Sequence, residues 1–396
     1  MPTKILDFEL PEVPSQISGL ERYSAALVLL RWQERPVLAL TIPLRQGVFR
    51  RSDLRERLAA GWIGDLHSCW ANMMLPAPPF DFKANPPQVT AAVCTRNRPA
   101  DLIKCLNSLV NLPDDGQEIL VIDNCPADDA SEHVVRRFPS VRYVRENRAG
   151  LDCARNRALR EARGQIIAFI DDDAVADKNW LRRIAAPFAE PLTLCVTGLS
   201  LPLELETEAQ EEFERLAAFG RGFVRRRFSL ETNSPTAGGA AGVGANMALR
   251  KDVLDKIGIF DEALDAGTAT HSGGDSDMFS RIIGAGYDVM YEPAALNWHR
   301  HRRTREELRR AIYGYGVGIY AAWTRSFLVE KEWDVFRAFW LWFVKVQLKN
   351  AVRSLLRRRD AYPLDLIWEE LRGSVWGPVA YLLARQEIPP PNEPKE

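Results

Sequence analysis

The sequence predicts an α/β protein: a mostly parallel sheet flanked by helices, preceded by a small α+β segment and followed by a helical extension. Three observations lead there. After residue 88, short apolar runs alternate with amphipathic stretches in units of about 25 residues. Those runs are apolar at consecutive positions, as strands covered on both faces must be. Beyond residue 305 the pattern is helical.

Composition narrows the field. The 396 residues are 46% apolar and 27% charged, which suits a globular chain of more than one domain. A net charge of −1 removes any global electrostatic case for nucleic acid. Basic residues cluster only locally, at 300–310 and at Arg357, Arg358 and Arg359. None of the six cysteines forms a C-x-x-C pair, so buried thiols in a reducing compartment fit better than zinc or redox use. The opening "MPTKILDFELPEVP" places acids and prolines where a secretory leader needs an apolar stretch, so a cytoplasmic start is expected.

Residues 1–79 read as the α+β segment. "SAALVLLRW" and "RPVLALTIPL" are strands around the turn Gln33–Pro36, and a charged helix lies near Ser52–Ala60. The proline-rich stretch at 80–87 reads as a linker. The main domain, 88–305, begins with the strand "QVTAAVCT" and the helix "RPADLIKCLNSLVNL", with Pro99 at its start. Strand "EILVIDN", helix "ASEHVVRRF", strand "VRYVREN", helix "GLDCARNRALREARG" and strand "QIIAFI" follow in order. The stretch Leu201–Thr236 reads as loops.

The extension 306–396 carries the helix Phe336–Arg359. Its uncharged run, Ala338–Val344, is far short of the roughly 20 residues that cross a bilayer. Its crowded aromatics, followed by Lys345, Lys349 and Arg353, suit two placements. One is peripheral contact at the inner face of a membrane through 333–359; the other is packing on the main domain.

Ligands of open parallel sheets bind at the carboxyl ends of the strands. That rule gathers Thr95–Arg98, Asp123–Asn124, Asn147–Asp152 and Asp171–Asp173 on one rim. Three adjacent aspartates at the tip of a buried strand make either a hydrated bend or a seat for a hard cation, Mn²⁺ or Mg²⁺, and their neighbours on the rim favour the cation. Asp123 suits a helix cap or a base edge, and Arg155 suits the surface or a diphosphate. "CTRNRP" has no G-x-G-x-x-G, which counts against a dinucleotide-binding dehydrogenase. Downstream, Asp275 and Asp277 open a helix after Gly273–Gly274, and either suits a cap or a general base. His299 and His301 point to one side of an extended segment, as metal ligands or phosphate contacts.

Taken in order, "CTRNRP", "EILVIDN", "RENRAGLDCARNRAL", "AFIDDD", "GANMALRKDVLDKIGIFDEAL", "GGDSDMFSRIIGAGYDVMYEP" and "WHRHRR" resemble glycosyltransferase family 2, inverting enzymes of the GT-A fold. The resemblance covers about Gln88 to Thr304. It implies a nucleoside diphosphate sugar donor, a hydroxyl acceptor (glycan, lipid-linked or small molecule) and a divalent cation. Thr95, Arg96, Arg98, Asp123, Arg155, Asp171 and Asp172 would meet the donor. Asp173 with His299 or His301 would hold the metal. Gly244, Ala245 and Asn246 would floor the acceptor pocket, and Asp275, or else Asp277, would be the base. Gly274 stands where the family has a glutamate. The tryptophan-bearing motif of processive synthases has no match after Arg305, which implies single additions. A nucleotidyltransferase and a non-catalytic sugar-nucleotide binder are the competing readings.

Overall fold

In the computed structural model, residues 2–60, 88–356, 358 and 361–388 are described. The expected linker at 80–87, Cys69, Arg357 and Arg359 lie outside them.

The N-terminal unit is a three-stranded sheet of β1 (Thr3–Glu9), β2 (Ala25–Trp32) and β3 (Arg35–Pro43), followed by helix α1 (Arg51–Ala60). β2 and β3 form the expected hairpin. Gln33 and Glu34 both take positive φ, 52° and 64°, the twist a two-residue hairpin requires. Glu34 holds this conformation through its side chain, which accepts from Lys178 at 2.7 Å and Asn179 at 2.9 Å. β1 pairs parallel to β2 and was not foreseen, because "TKILDFE" mixes charge with apolar residues. Val28, Leu30, Ile42 and Phe49 form this unit's own core. Arg31 ties it to the main domain, donating to Asp7 at 2.7 Å and to Asp177 at 2.6 Å.

The main domain is built on a nine-stranded sheet. Its first four strands are β4 (Val89–Thr95), β5 (Glu118–Asn124), β6 (Val141–Glu146) and β7 (Ile166–Asp171). They run parallel in the order β7-β4-β5-β6, as the consecutive apolar runs required. Helices α2 (Pro99–Val110), α3 (Ala130–Val135) and α4 (Leu151–Glu161) connect them. The short β8 (Ala174–Ala176) and helix α5 (Trp180–Ala185) follow. The sheet is completed by β9 (Thr193–Pro202), β10 (Arg226–Phe228), β11 (Asn246–Arg250) and β12 (Asp288–His299). β11 is antiparallel to both β7 and β9, which makes the sheet mixed. Apolar side chains pack on both faces, Ile122, Phe169 and Phe279 on one and Val93, Ile170 and Trp180 on the other. The expected loop region 201–236 also contains helix α6 (Glu208–Ala217). It starts with a Thr207–Gln210 capping box, a signal the sequence reading missed.

Helix α7 (Gly274–Gly284) precedes β12. Beyond it, α8 (Arg305–Leu328) opens on a Thr304–Glu307 capping box. Next come α9 (Asp334–Trp342), a π-helical stretch Phe343–Leu348, α10 (Lys349–Leu355) and α11 (Leu364–Glu387). α11 lies close against α8, where a Cβ on Gly316 or Gly377 would strike the facing backbone. The helical extension is therefore present as expected. Among the described residues, no helix is long and apolar enough to cross a membrane.

Candidate active site

The rim predicted from strand order exists. β4 ends at Thr95, β5 at Asp123–Asn124, and β7 delivers Asp171 and then Asp172 and Asp173. Thr95 and Asp172 are buried, and the Thr95 hydroxyl donates to Asp172 Oδ2 at 2.7 Å. Arg98 reaches across from the start of α2 to Asp172 Oδ1 at 3.2 Å and Asp173 Oδ2 at 2.9 Å. Burial pushes the Asp172 carboxyl up to about 7, against the pull of Arg98. Burial also works against charge on Asp173, but His299, Arg98 and Arg302 outweigh it and hold that carboxyl below the usual range. Arg96 is exposed at the same strand end.

β12 carries His299 to the acids. Ala174 on β8 pairs with His299, and Arg300 N–H donates to the Asp173 carbonyl at 3.0 Å, so the backbone fixes the approach. His299 Nε2 lies 3.1 Å from Asp173 Oδ1 and 4.0 Å from Asp171 Oδ2. One ligand atom from each of Asp171, Asp173 and His299 fits within a mutual 4.8 Å. Asp173 Oδ1 is buried and makes no well-directed hydrogen bond, which leaves a lone pair facing this point. Two carboxylates and an imidazole suit a borderline to hard divalent ion, so the residues present fit Mn²⁺ or Mg²⁺.

Two assignments change here. Asp171, expected among donor contacts, lies with Asp173 and His299 in the group that could hold a metal. His301 does not face the acids. It sits behind His299, the two Nδ1 atoms 3.3 Å apart, and its Nε2 meets Glu214 Oε2 at 3.0 Å. Phe213 and Phe219 enclose this pair. Burial lowers His301 to about 3 and raises Glu214 to about 8. Both imidazoles were expected on one side of an extended segment, but the β12 ladder ends at His299 and the next turn diverts His301.

Asp123 is fully buried. Tyr143 donates to its Oδ2 at 2.8 Å while Oδ1 has no partner, and burial raises its pKa. An unsatisfied buried acceptor of this kind fits a donor group from a ligand.

The second focus is the start of α7. Gly273 takes φ 118°, and a Cβ there would lie 2.7 Å from the Gly318 carbonyl. Asp275 Oδ2 accepts from Gly244 N–H at 2.7 Å, and Oδ1 accepts from Ser276 N–H at 2.7 Å. Gly274 could not be the family's glutamate in this backbone, because a Cβ would run into the Asp152 carboxyl. Asp152 is buried, bonded through Oδ1 to Arg155 at 2.9 Å, with Oδ2 unpartnered. Burial pushes its pKa far up, against Arg155. Arg155 is thus no surface residue: its guanidinium lies buried within electrostatic reach of Asp152, Asp275 and Asp171, linking the two foci.

Asp277 is excluded as a base. It is 1% exposed, and both oxygens are engaged, by Arg281 at 2.8 Å and Arg325 at 2.9 Å. Asn246 likewise cannot floor an acceptor pocket. It is fully buried, accepting from Trp180 Nε1 at 2.8 Å and donating to the Leu199 and Ala295 carbonyls at 2.9 Å. It ties β11 to β9 and to β12. Ala245 is buried and its carbonyl accepts from Asn297, while Gly244 alone of the three touches Asp275. Tyr143, Glu214 and Arg302 were missed, since each meets the site through contacts that no local motif encodes, and Asp152 was placed on the rim without a role.

Comparison with known proteins finds glycosyltransferases. Residues 90–258 match the family described as Glycosyl transferase family 2. Glycosyltransferase AglE of Haloferax volcanii is 25% identical over 60% of this chain and 74% of its own. The pre-mycofactocin glycosyltransferase of Mycobacterium tuberculosis is 26% identical over 57% of this chain, which spans 46% of that relative's length. Among solved structures, the mannosyltransferase PcManGT from Pyrobaculum calidifontis, in complex with GDP-Man and Mn²⁺, aligns at TM-score 0.47 and 17% identity, covering 79% of this chain and 76% of that one. The matched family region and the named relatives make the chain an enzyme of the glycosyltransferase class. Residues 90–258 are the part of the chain that matches glycosyltransferase family 2.

Proposed function

We propose that this enzyme is a metal-dependent inverting transferase, moving a sugar from a nucleoside diphosphate sugar to an acceptor hydroxyl. The observation that carries the reading is the convergence of Asp171, Asp173 and His299, with the buried Asp173 Oδ1 facing His299 Nε2 at 3.1 Å. A divalent ion held there would neutralise charge on a leaving diphosphate. Arg98 and Arg302, at 2.9 and 3.5 Å from Asp173 Oδ2, would turn to the diphosphate oxygens once the carboxylate is otherwise engaged. Thr95 would keep Asp172 oriented toward the ribose, and Asp123 would take a donor from the base. Asp275 would accept the acceptor's proton, its carboxylate aimed by the Gly244 and Ser276 N–H groups. Arg155, held by Asp152, would stabilise charge between the foci. With Asp277 locked in ion pairs, one carboxylate remains for the base, as a single inverting displacement needs.

Titration calorimetry with nucleoside diphosphates and their sugars, with and without Mn²⁺, tests this. Binding of one such nucleotide should require the ion and be lost in Asp173→Ala. Equal binding with and without the ion, unaffected by that change, would refute the reading.

A further inference from the structure

Exposed large apolar side chains concentrate on the C-terminal helices. Around α9 and α10, Trp333 is 70% exposed, Trp340 63% and Leu355 69%. On α11, Trp368 is 62% exposed and Val375 80%. Leu364, Trp368, Val375, Val379 and Leu382 recur there at helical spacing, while Ile367, Gly377, Ala380 and Tyr381 are buried. α11 is therefore apolar on both sides, the pattern of a helix covered all round. The two exposed faces belong to one assembly: Trp342 and Gln347 donate to Glu370 of α11, and Gln347 also donates to Ser374, next to Val375.

Charge selects the occupant. Between Val335 and Leu356 the chain carries Arg337, Lys345, Lys349 and Arg353 and no acid, in a protein of net charge −1. Lys345 and Lys349 are exposed beside the apolar residues. Trp333, Phe336, Phe339 and Trp340 are exposed aromatics, the type that settles where headgroups meet acyl chains. Among the described residues no helix is long and apolar enough to cross a membrane, so this surface would lie on one.

We propose that α9, α10 and α11 form a single docking surface for an anionic bilayer, with tryptophan, phenylalanine and valine side chains entering the interface and the lysines meeting lipid phosphates. The surface adjoins the site. α11 packs on α8, and the α8 residue Gly318 touches Gly273, two positions before Asp275. Docking uses none of the donor-site residues, so it is tested apart from sugar transfer.

The test is flotation of the full chain with vesicles of phosphatidylcholine, with and without phosphatidylglycerol. Wild type should float with the anionic vesicles and stay behind with the neutral ones. Lys345→Gln and Lys349→Gln should each weaken binding about fivefold. Trp340→Ser with Val375→Ser should abolish it at an unchanged melting temperature; Trp368→Ser serves in their place if that pair fails to fold. A wild type that never floats, or apolar-face variants that float like wild type, would overturn the proposal. So would light scattering that shows a lipid-free dimer dissociated by the same serine changes, since the face would then belong to a second copy.

Discussion

Replacing Glu214 by Gln probes how His299, the histidine proposed to bind the metal, is held. An imidazole that offers Nε2 to an ion must carry its proton on Nδ1. His299 Nδ1 faces His301 Nδ1 at 3.3 Å, so that proton would be donated to His301. His301 must then carry its own proton on Nε2, 3.0 Å from Glu214 Oε2, and Glu214 must accept it as a carboxylate. Without an ion, burial lifts Glu214 to about 8 and keeps it protonated at neutral pH. Metal uptake near pH 7 should therefore release up to one proton from this residue. Partners behind a ligating histidine are worth about 10–100-fold in affinity, or roughly 1.4–2.7 kcal/mol. Glu214→Gln retains a weaker, neutral acceptor, so a loss near the lower end is expected, with the Glu214 proton release abolished. Calorimetry with Mn²⁺ in two buffers of different ionisation enthalpy measures both quantities. Unchanged affinity together with unchanged proton release would show that the relay from Glu214 to His299 plays no part.

Asp275→Asn should keep nucleotide binding and lower transfer about 10²–10⁴-fold, measured by steady-state kinetics. Asp277→Asn should act on stability instead, costing about 3–5 kcal/mol in chemical denaturation because a buried ion pair is broken while Arg325 stays in place. In metal-free protein the folded state retains the Glu214 proton between about pH 4.3, where an unfolded glutamate releases it, and about 8. That contribution to stability is present at low pH and lost as pH rises through this window, so Glu214→Gln should flatten the fall in melting temperature. Gly274→Ala should press a methyl group onto the Asp152 carboxyl, lowering stability by about 1–3 kcal/mol and slowing transfer by displacing Asp275.

Much of the frame was legible because it rests on local pattern. Consecutive apolar residues in "QIIAFI" can only be a strand covered on both faces, and Gln33–Pro36 separates two such runs closely enough to force a hairpin. Strand order then put Thr95, Asp123 and Asp171–Asp173 on one rim with no further information. What escaped depends on contacts distant in sequence. Nothing near Asp277 announces that Arg325 will arrive to neutralise it, and nothing near Gly274 announces that Asp152, over a hundred residues earlier, fills the adjoining space. Asn246 entered the acceptor pocket only through the family resemblance, yet its amide is consumed in joining strands. The histidine pair was half legible: alternation placed both on one side, while the choice between them fell to the position of Glu214.

The Arg325 guanidinium has a consequence for how the molecule can be divided. It sits 4% exposed between Asp261 and Asp277, and Arg385 adds a second cation at Asp261 from α11. A chain cut near residue 305 would leave Asp261 buried without Arg325 and Arg385, and Asp277 with Arg281 alone, two residues from Asp275. The shift in sequence pattern there marks a change of architecture, whereas the cooperative unit runs on through the last helix.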